Sequence, residues 1–170
     1  MEQDRITEDR KMLVVDDEID VLESLEELLE DDFIVDTASS FEEAVSCLKK
    51  QTYDVAIFDI MGVRGYALLE ASKAKNIPTL MLTAHAFSPD NLKKSIELGA
   101  DAYIPKDKMV DIAIYVDDVL TAHKKKDPGG KWYAKLTPLY DEIFGSGWKD
   151  AEKDFWEEFD KKYLGQGQGV

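Results

Sequence analysis

Five side chains of this sequence could share one piece of chemistry. Asp16 and Asp17 follow the apolar run Met12–Val15, and Asp59 ends the run Val55–Asp59. Thr83 ends Thr79–Thr83, and Lys106 follows Ala102-Tyr103-Ile104-Pro105. Three carboxylates at one edge repel one another strongly unless a cation sits among them. Oxygen donors without His or Cys suit a hard ion, and Mg²⁺ is the natural choice. Such an ion neutralises an incoming phosphoryl group and holds it in line with an attacking oxygen. Asp59 is placed to be that nucleophile, giving an aspartyl phosphate. The Thr83 hydroxyl and the Lys106 ammonium suit the phosphoryl oxygens. Taken singly, an Asp at a strand end is commonly a helix cap and an acidic pair a solvated turn. The weight lies in four elements delivering the needed groups in order.

Those groups meet only if the runs are parallel strands. Short apolar runs bounded by polar turns read as strands buried on both faces. Between them, Ile19, Leu22, Leu25, Leu28 and Leu29 recur at helical spacing, as do Phe41, Ala44, Val45 and Leu48 after a Ser40/Glu43 capping box. Phe33 to Ala38 alternates as a second strand, and Tyr66 to Lys75 is a third helix. Ser88-Pro89 starts a fourth helix that Gly99 closes, and Val110 to His123 is a fifth. The expected fold is α/β: a doubly wound, five-stranded parallel sheet with helices on both faces. Ligands bind such sheets at the strands' C-terminal ends, where all five groups fall.

The 170 residues are 44% apolar, enough for one core, and carry a net charge of −15. That balance argues against nucleic acid, whose phosphates need clustered Lys and Arg. The run Lys124-Lys125-Lys126 reads as favourable charge at a helix C-terminus. A single cysteine, Cys47, excludes an intramolecular disulfide and reads as a small hydrophobe. Met1 to Arg10 is mostly charged, lacks a signal-peptide core and reads as a flexible N-terminus. No apolar run is long enough to span a bilayer, so a cytoplasmic protein without membrane contact is expected.

Asp127-Pro128-Gly129-Gly130 signals a linker. The organisation expected is a domain over 11–126, a helical extension over 127–164 and a disordered tail from Gly165 to Val170. In the extension Trp132, Tyr133, Leu136, Leu139, Tyr140, Ile143 and Phe144 keep near-helical spacing, with Thr137-Pro138 able to start a new helix. Trp148, Phe155, Trp156, Phe159 and Tyr163 mark another. All three tryptophans lie there, and from Lys131 onward six lysines face eight carboxylates. DNA recognition is not expected of such a segment; packing on the domain or on a second copy is.

Over about Lys11 to Lys126 the sequence resembles the receiver domains of two-component response regulators. The resemblance rests on Val14-Val15-Asp16-Asp17-Glu18, Phe58-Asp59, Leu82-Thr83-Ala84 and Gly99-Ala100-Asp101-Ala102-Tyr103-Ile104-Pro105-Lys106. It implies a flavodoxin-like sheet of order 2-1-3-4-5. It also implies that Asp59 takes a phosphoryl group from a sensor histidine kinase or phosphotransfer protein. Asp16, Asp17, Asp59 and the backbone carbonyl of Met61 would hold Mg²⁺. Thr83 and Lys106 would read the phosphoryl group, and Tyr103 would be the aromatic switch that swings inward when Thr83 moves. The output surface would be the fourth helix, fifth strand and fifth helix, used for a downstream protein partner or self-association. Such a protein catalyses its own phosphorylation and dephosphorylation and is not a turnover enzyme. An inactive receiver-like scaffold whose tail drives assembly is the alternative. An aspartyl phosphatase would need a second Asp two positions after Asp59, where Met61 stands.

Two departures from the family pattern stand out. Gly62 follows Met61 where a Met-Pro turn is usual, Gly65 comes early, and 24 positions separate Asp59 from Thr83. Asp107 follows Lys106 where proline is frequent. His85, two residues after Thr83, is either a modulator of water at the site or an exposed loop residue.

Overall fold

The strands β1 (Lys11–Val15), β2 (Ile34–Ala38), β3 (Val55–Asp59), β4 (Thr79–Thr83) and β5 (Ala102–Pro105) form one parallel sheet in the order β2-β1-β3-β4-β5. The computed structural model describes residues 10–84, 87–125 and 131–162. β3, β4 and β5 are buried at every residue, as continuously apolar runs require, while the edge strand β2 is exposed or half-buried except at Ala38 and does not keep the alternation expected of it.

Helices α1 (Ile19–Leu29), α2 (Phe41–Lys50), α3 (Gly65–Ala74), α4 (Pro89–Glu97) and α5 (Ile112–Lys125) are the crossovers. α1 contacts α5 and α2 contacts α3, so the two faces of the sheet are each covered. Of the stripe read for α1, Leu22, Leu25 and Leu29 point inward while Ile19 and Leu28 are exposed; from α2, Ala44 and Leu48 point inward. His123, Lys124 and Lys125 end α5, with the sign that its dipole favours. Cys47 is free and half-buried in α2.

Local differences have local causes. Ser40 Oγ accepts from the Glu43 N–H at 3.1 Å as a cap should. Glu43 does not return to Ser40, however; its carboxylate accepts from the N–H and hydroxyl of Ser39. α3 begins at Gly65 rather than Tyr66. A 3₁₀ turn over Lys106–Asp111 precedes α5, which therefore starts at Ile112 rather than Val110.

Beyond the sheet, α6 (Trp132–Phe144) runs unbroken through Pro138. The expected new start at Thr137-Pro138 is not seen: the helix continues through the proline, and the Thr137 hydroxyl donates to the Tyr133 carbonyl at 2.6 Å. A 3₁₀ turn, Asp150–Glu152, leads into α7 (Lys153–Asp160). The residues assigned to the linker, Asp127 to Gly130, lie outside the described residues, as do Met1 to Asp9 and Gly165 to Val170.

Candidate functional site: an acidic cluster at the sheet edge

Strand register brings four of the five groups together, and Asp17 joins them next to Asp16. Val15 pairs with Phe58, so Asp16 and Asp59 emerge side by side where β1 and β3 end. Asp59 pairs with Leu82, which puts Thr83 one step beyond it on β4. Thr83 pairs with Pro105, so Lys106 leaves β5 at the same level. Carboxylate oxygens of Asp16, Asp17 and Asp59 lie within 4.8 Å of one another. The Lys106 ammonium is 2.9 Å from Asp16, 3.0 Å from Glu18 and 3.6 Å from Asp59.

Asp16 is 1% exposed and Asp59 6%, whereas Asp17 faces solvent. Burial, and then the Asp16 charge, push the Asp59 carboxyl up to about 6, against the pull of Lys106. Burial also raises Asp16, although the Glu18 N–H and Lys106 oppose it. Burial disfavours the charged form of Lys106, but its bonds to Asp16 and Glu18 outweigh that and raise it. Two buried carboxylates held up in this way, with a third at the rim, fit a divalent cation. The ion would relieve the repulsion, and the donors are all oxygen.

A pH dependence follows. Because the Asp59 pKa lies above its ordinary value, the fold keeps a proton between about pH 4 and 6 that the unfolded chain releases. Its contribution to stability therefore falls as pH rises through that window. Asp59→Asn removes this cost, so without metal the variant is expected to match the wild type near pH 4. By pH 7.5 it should exceed it by up to about 3 kcal/mol. Denaturant midpoints across pH check this; a difference independent of pH would refute it.

Thr83 is fully buried. Met61, its side chain half exposed, lies in the turn linking β3 to α3 beside Gly62. Tyr103 is fully buried on β5, and its ring stacks on Phe87 at 5.6 Å. Its hydroxyl accepts from the Ser88 N–H at 2.9 Å and donates to the Ser88 carbonyl. His85 lies outside the described residues.

Several contributors that the sequence named without a role in the site are given one by the structure. Gly62 packs against the Asp17 carboxylate, where a Cβ would lie 2.7 Å from Asp17 Cγ. Gly65 packs on the backbone of Asp59 and Ile60, and its N–H donates to the Ile60 carbonyl at 3.0 Å. Two glycines within six residues of the candidate nucleophile were the available signal. Glu18 completes the grip on Lys106. Asp101 ties the base of the sheet, accepting from the Thr79 N–H and from Lys73, both at 2.8 Å.

The family model for the response regulator receiver domain matches residues 12–115. Among curated proteins, Response regulator Rre1 of Synechocystis sp. is 33% identical over 141 residues, which cover 78% of this chain and 61% of that protein. The CpxR homolog of Haemophilus influenzae, a transcriptional regulatory protein, is 38% identical over 102 residues, 56% of this chain and 43% of its own. The chain thus spans only part of these relatives' lengths. Among solved structures, a CheY-like receiver domain protein from Methanospirillum hungatei matches with a TM-score of 0.63 and 28% identity, covering 69% of this chain and 98% of that one. A receiver domain protein from Clostridium thermocellum gives a TM-score of 0.61 at 29% identity, over 68% and 97%. Sheet order, the acidic edge and a family match over most of the sheet agree, and this chain belongs to the response regulator receiver domain family.

Proposed function

We propose that this chain is a phosphoacceptor switch of a two-component system, acting in the cytoplasm. The observation that carries the reading is the meeting of Asp16, Asp17 and Asp59 within 4.8 Å, with the Lys106 ammonium 3.6 Å from Asp59. An Asp59 carboxylate oxygen attacks the phosphorus of a phosphohistidine on a sensor kinase or phosphotransfer protein. The P–O bond to Asp59 forms as the P–N bond to the imidazole breaks, and the imidazole leaves with its electron pair and takes a proton. Asp16, Asp17, Asp59 and the Met61 carbonyl would hold Mg²⁺, which supplies charge neutralisation and in-line orientation. Lys106 and Thr83 then hold the phosphoryl oxygens.

Water later returns the phosphoryl group to phosphate, so the chain acts on itself and is not a turnover enzyme. The modification adds about −1.5 to −2 of charge and three acceptor oxygens, which bias the segments after β4 and β5. The signal leaves through the α4–β5–α5 surface by protein contact. The extension's six lysines against nine carboxylates support a protein rather than a nucleic-acid partner for that segment.

Incubation with Mg²⁺ and a small phosphodonor, followed by intact mass, tests this. The wild type is expected to gain one phosphoryl group and Asp59→Ala none. No gain in the wild type would favour a scaffold without phosphoryl chemistry, and steady hydrolysis of phosphate esters would favour a phosphatase.

A further inference from the structure

The α4–β5–α5 surface is not bare: this chain's own extension sits on it. Lys135 of α6 bonds Asp118 of α5 at 2.8 Å. The Tyr140 hydroxyl donates to the backbone carbonyl of Tyr103 on β5 at 2.5 Å. Glu152, just before α7, bonds Lys93 of α4 at 2.8 Å, and the same ammonium lies 5.2 Å from the Phe155 ring. One helical segment therefore grips all three elements of the surface. Trp132, Tyr133, Leu136, Tyr140, Trp156 and Phe159 are buried: Tyr140 and Phe144 meet rings of the sheet domain, while Trp148, Trp156 and Phe159 pack on one another and on the other rings of the extension.

The seat is also joined to the phosphorylation edge. Phe87, four residues after Thr83, packs its ring against Tyr103, Tyr140 and Phe144 at 5.6, 5.7 and 4.8 Å. The next residue, Ser88, holds the Tyr103 hydroxyl and caps α4. The segment carrying Thr83 thus supplies one ring of the extension's socket, and Tyr103 supplies another ring and the carbonyl that Tyr140 binds.

We propose that the extension is this chain's own reader of phosphorylation: α6 and α7 are seated on α4–β5–α5 while Asp59 is unmodified, and phosphorylation loosens them. The proposal rests on Asp59 being the phosphoacceptor. Its direction comes from the geometry. A phosphoryl group on Asp59 draws Thr83 and Lys106 toward new acceptor oxygens and so displaces the segment that bears Phe87, whose ring the socket holds against Tyr103, Tyr140 and Phe144. Close-packed aromatic contacts do not deform gradually, so displacement costs the seat. By linkage, weakening the seat must in turn favour the phosphoryl-bound state by the same factor. Release uncovers an aromatic helix face and the surface beneath it together. A second copy or another partner can reach that surface only after the extension leaves.

Hydrogen exchange on the full chain, with intact mass read from the same sample, tests the linkage. After Mg²⁺ and phosphodonor, amides of α6 should exchange on the order of 5-fold faster. Emission from the tryptophans, all of them in the extension, should shift to the red as Trp132 and Trp156 meet water. A phosphoryl gain with unchanged or slower α6 exchange overturns the linkage and leaves Asp59 standing as the acceptor. Absence of the mass gain overturns both, and the mass trace tells the cases apart. The reciprocal arm uses Lys93→Ala and Tyr140→Phe, which each remove one anchor and keep the rings. Both should bind beryllofluoride, a noncovalent phosphoryl mimic, about 5-fold more tightly with Mg²⁺ present. Unchanged binding in both overturns the proposal.

Discussion

Gly65→Ala is expected to cost the fold about 3 kcal/mol or more, although it places a better helix former at the first position of α3. On propensity alone the change would stabilise by about 0.5–1 kcal/mol. The surroundings reverse the sign. An added Cβ would overlap the Asp59 carbonyl oxygen and lie 2.7 Å from Ile60 Cα. Both are main-chain atoms at the end of β3, held by the ladder to β4 and by the Gly65 N–H on the Ile60 carbonyl. Neither can rotate away as a side chain would, so β3 and α3 must separate. That separation moves Asp59 itself, and phosphoryl gain from a small donor should fall along with stability.

Gly99→Ala is the control. It carries the strain of a φ of +98°, but its Cβ meets only the flexible Lys73 side chain, at 3.4 Å, so about 1 kcal/mol is expected. Gly62→Ala differs again: at a φ of +86° it carries a similar strain of about 1 kcal/mol, and its Cβ would also displace the Asp17 carboxylate, so a loss of about 10-fold in Mg²⁺ affinity is expected besides. Denaturant midpoints and Mg²⁺ titrations rank the three variants. A Gly65→Ala protein as stable as the wild type would show that the β3–α3 connection is looser than described.

The acidic edge was legible in the sequence because a parallel sheet turns chain order into position. Once the runs ending at Asp59 and Thr83 are strands, pairing leaves little freedom in where their ends fall, and Asp16 must emerge beside Asp59. Apolar runs at β3 and β4 announce such strands because burial on both faces removes the polar alternation. The shortened stretch after Asp59 was harder to read. Glycine spacing flags a tight connection, but whether Gly65 packs on backbone or faces water is a tertiary fact that no local propensity carries.

The seat of the extension was not legible for a similar reason. A stripe of Trp, Tyr and Phe says that a helix face is covered, and says nothing about what covers it. The contacts that decide it join Lys135 to Asp118, Glu152 to Lys93 and Tyr140 to Tyr103, pairs far apart in the chain and individually unremarkable. The expected helix start at Thr137-Pro138 failed on a smaller scale. The rule that proline breaks helices was outweighed by the buried aromatic face of α6.

Tyr140→Ala should be the most damaging change in the extension, at about 3–5 kcal/mol. Tyr140 is fully buried at the joint between the two parts of the chain. Its ring lies 5.6–6.3 Å from those of Phe87, Tyr103, Tyr133, Phe144 and Trp148, and two of these belong to the sheet domain. Truncation leaves a cavity bounded by rigid rings, which cannot collapse as a set of aliphatic side chains could. Tyr140→Phe keeps every ring contact and loses only the bond to the Tyr103 carbonyl, for about 0.5–1.5 kcal/mol.

The difference between the two variants measures how much of the seat is aromatic packing and how much is the hydroxyl. Tryptophan emission reports on the extension alone, and far-ultraviolet dichroism on the whole chain, so one unfolding experiment reads both parts. In the wild type the two transitions should coincide, because the rings of both parts share one core. In Tyr140→Ala the emission transition should run ahead as the extension leaves first. If its midpoint moves by less than about 1 kcal/mol, or both probes still unfold together, Tyr140 is not what fastens the extension to β5.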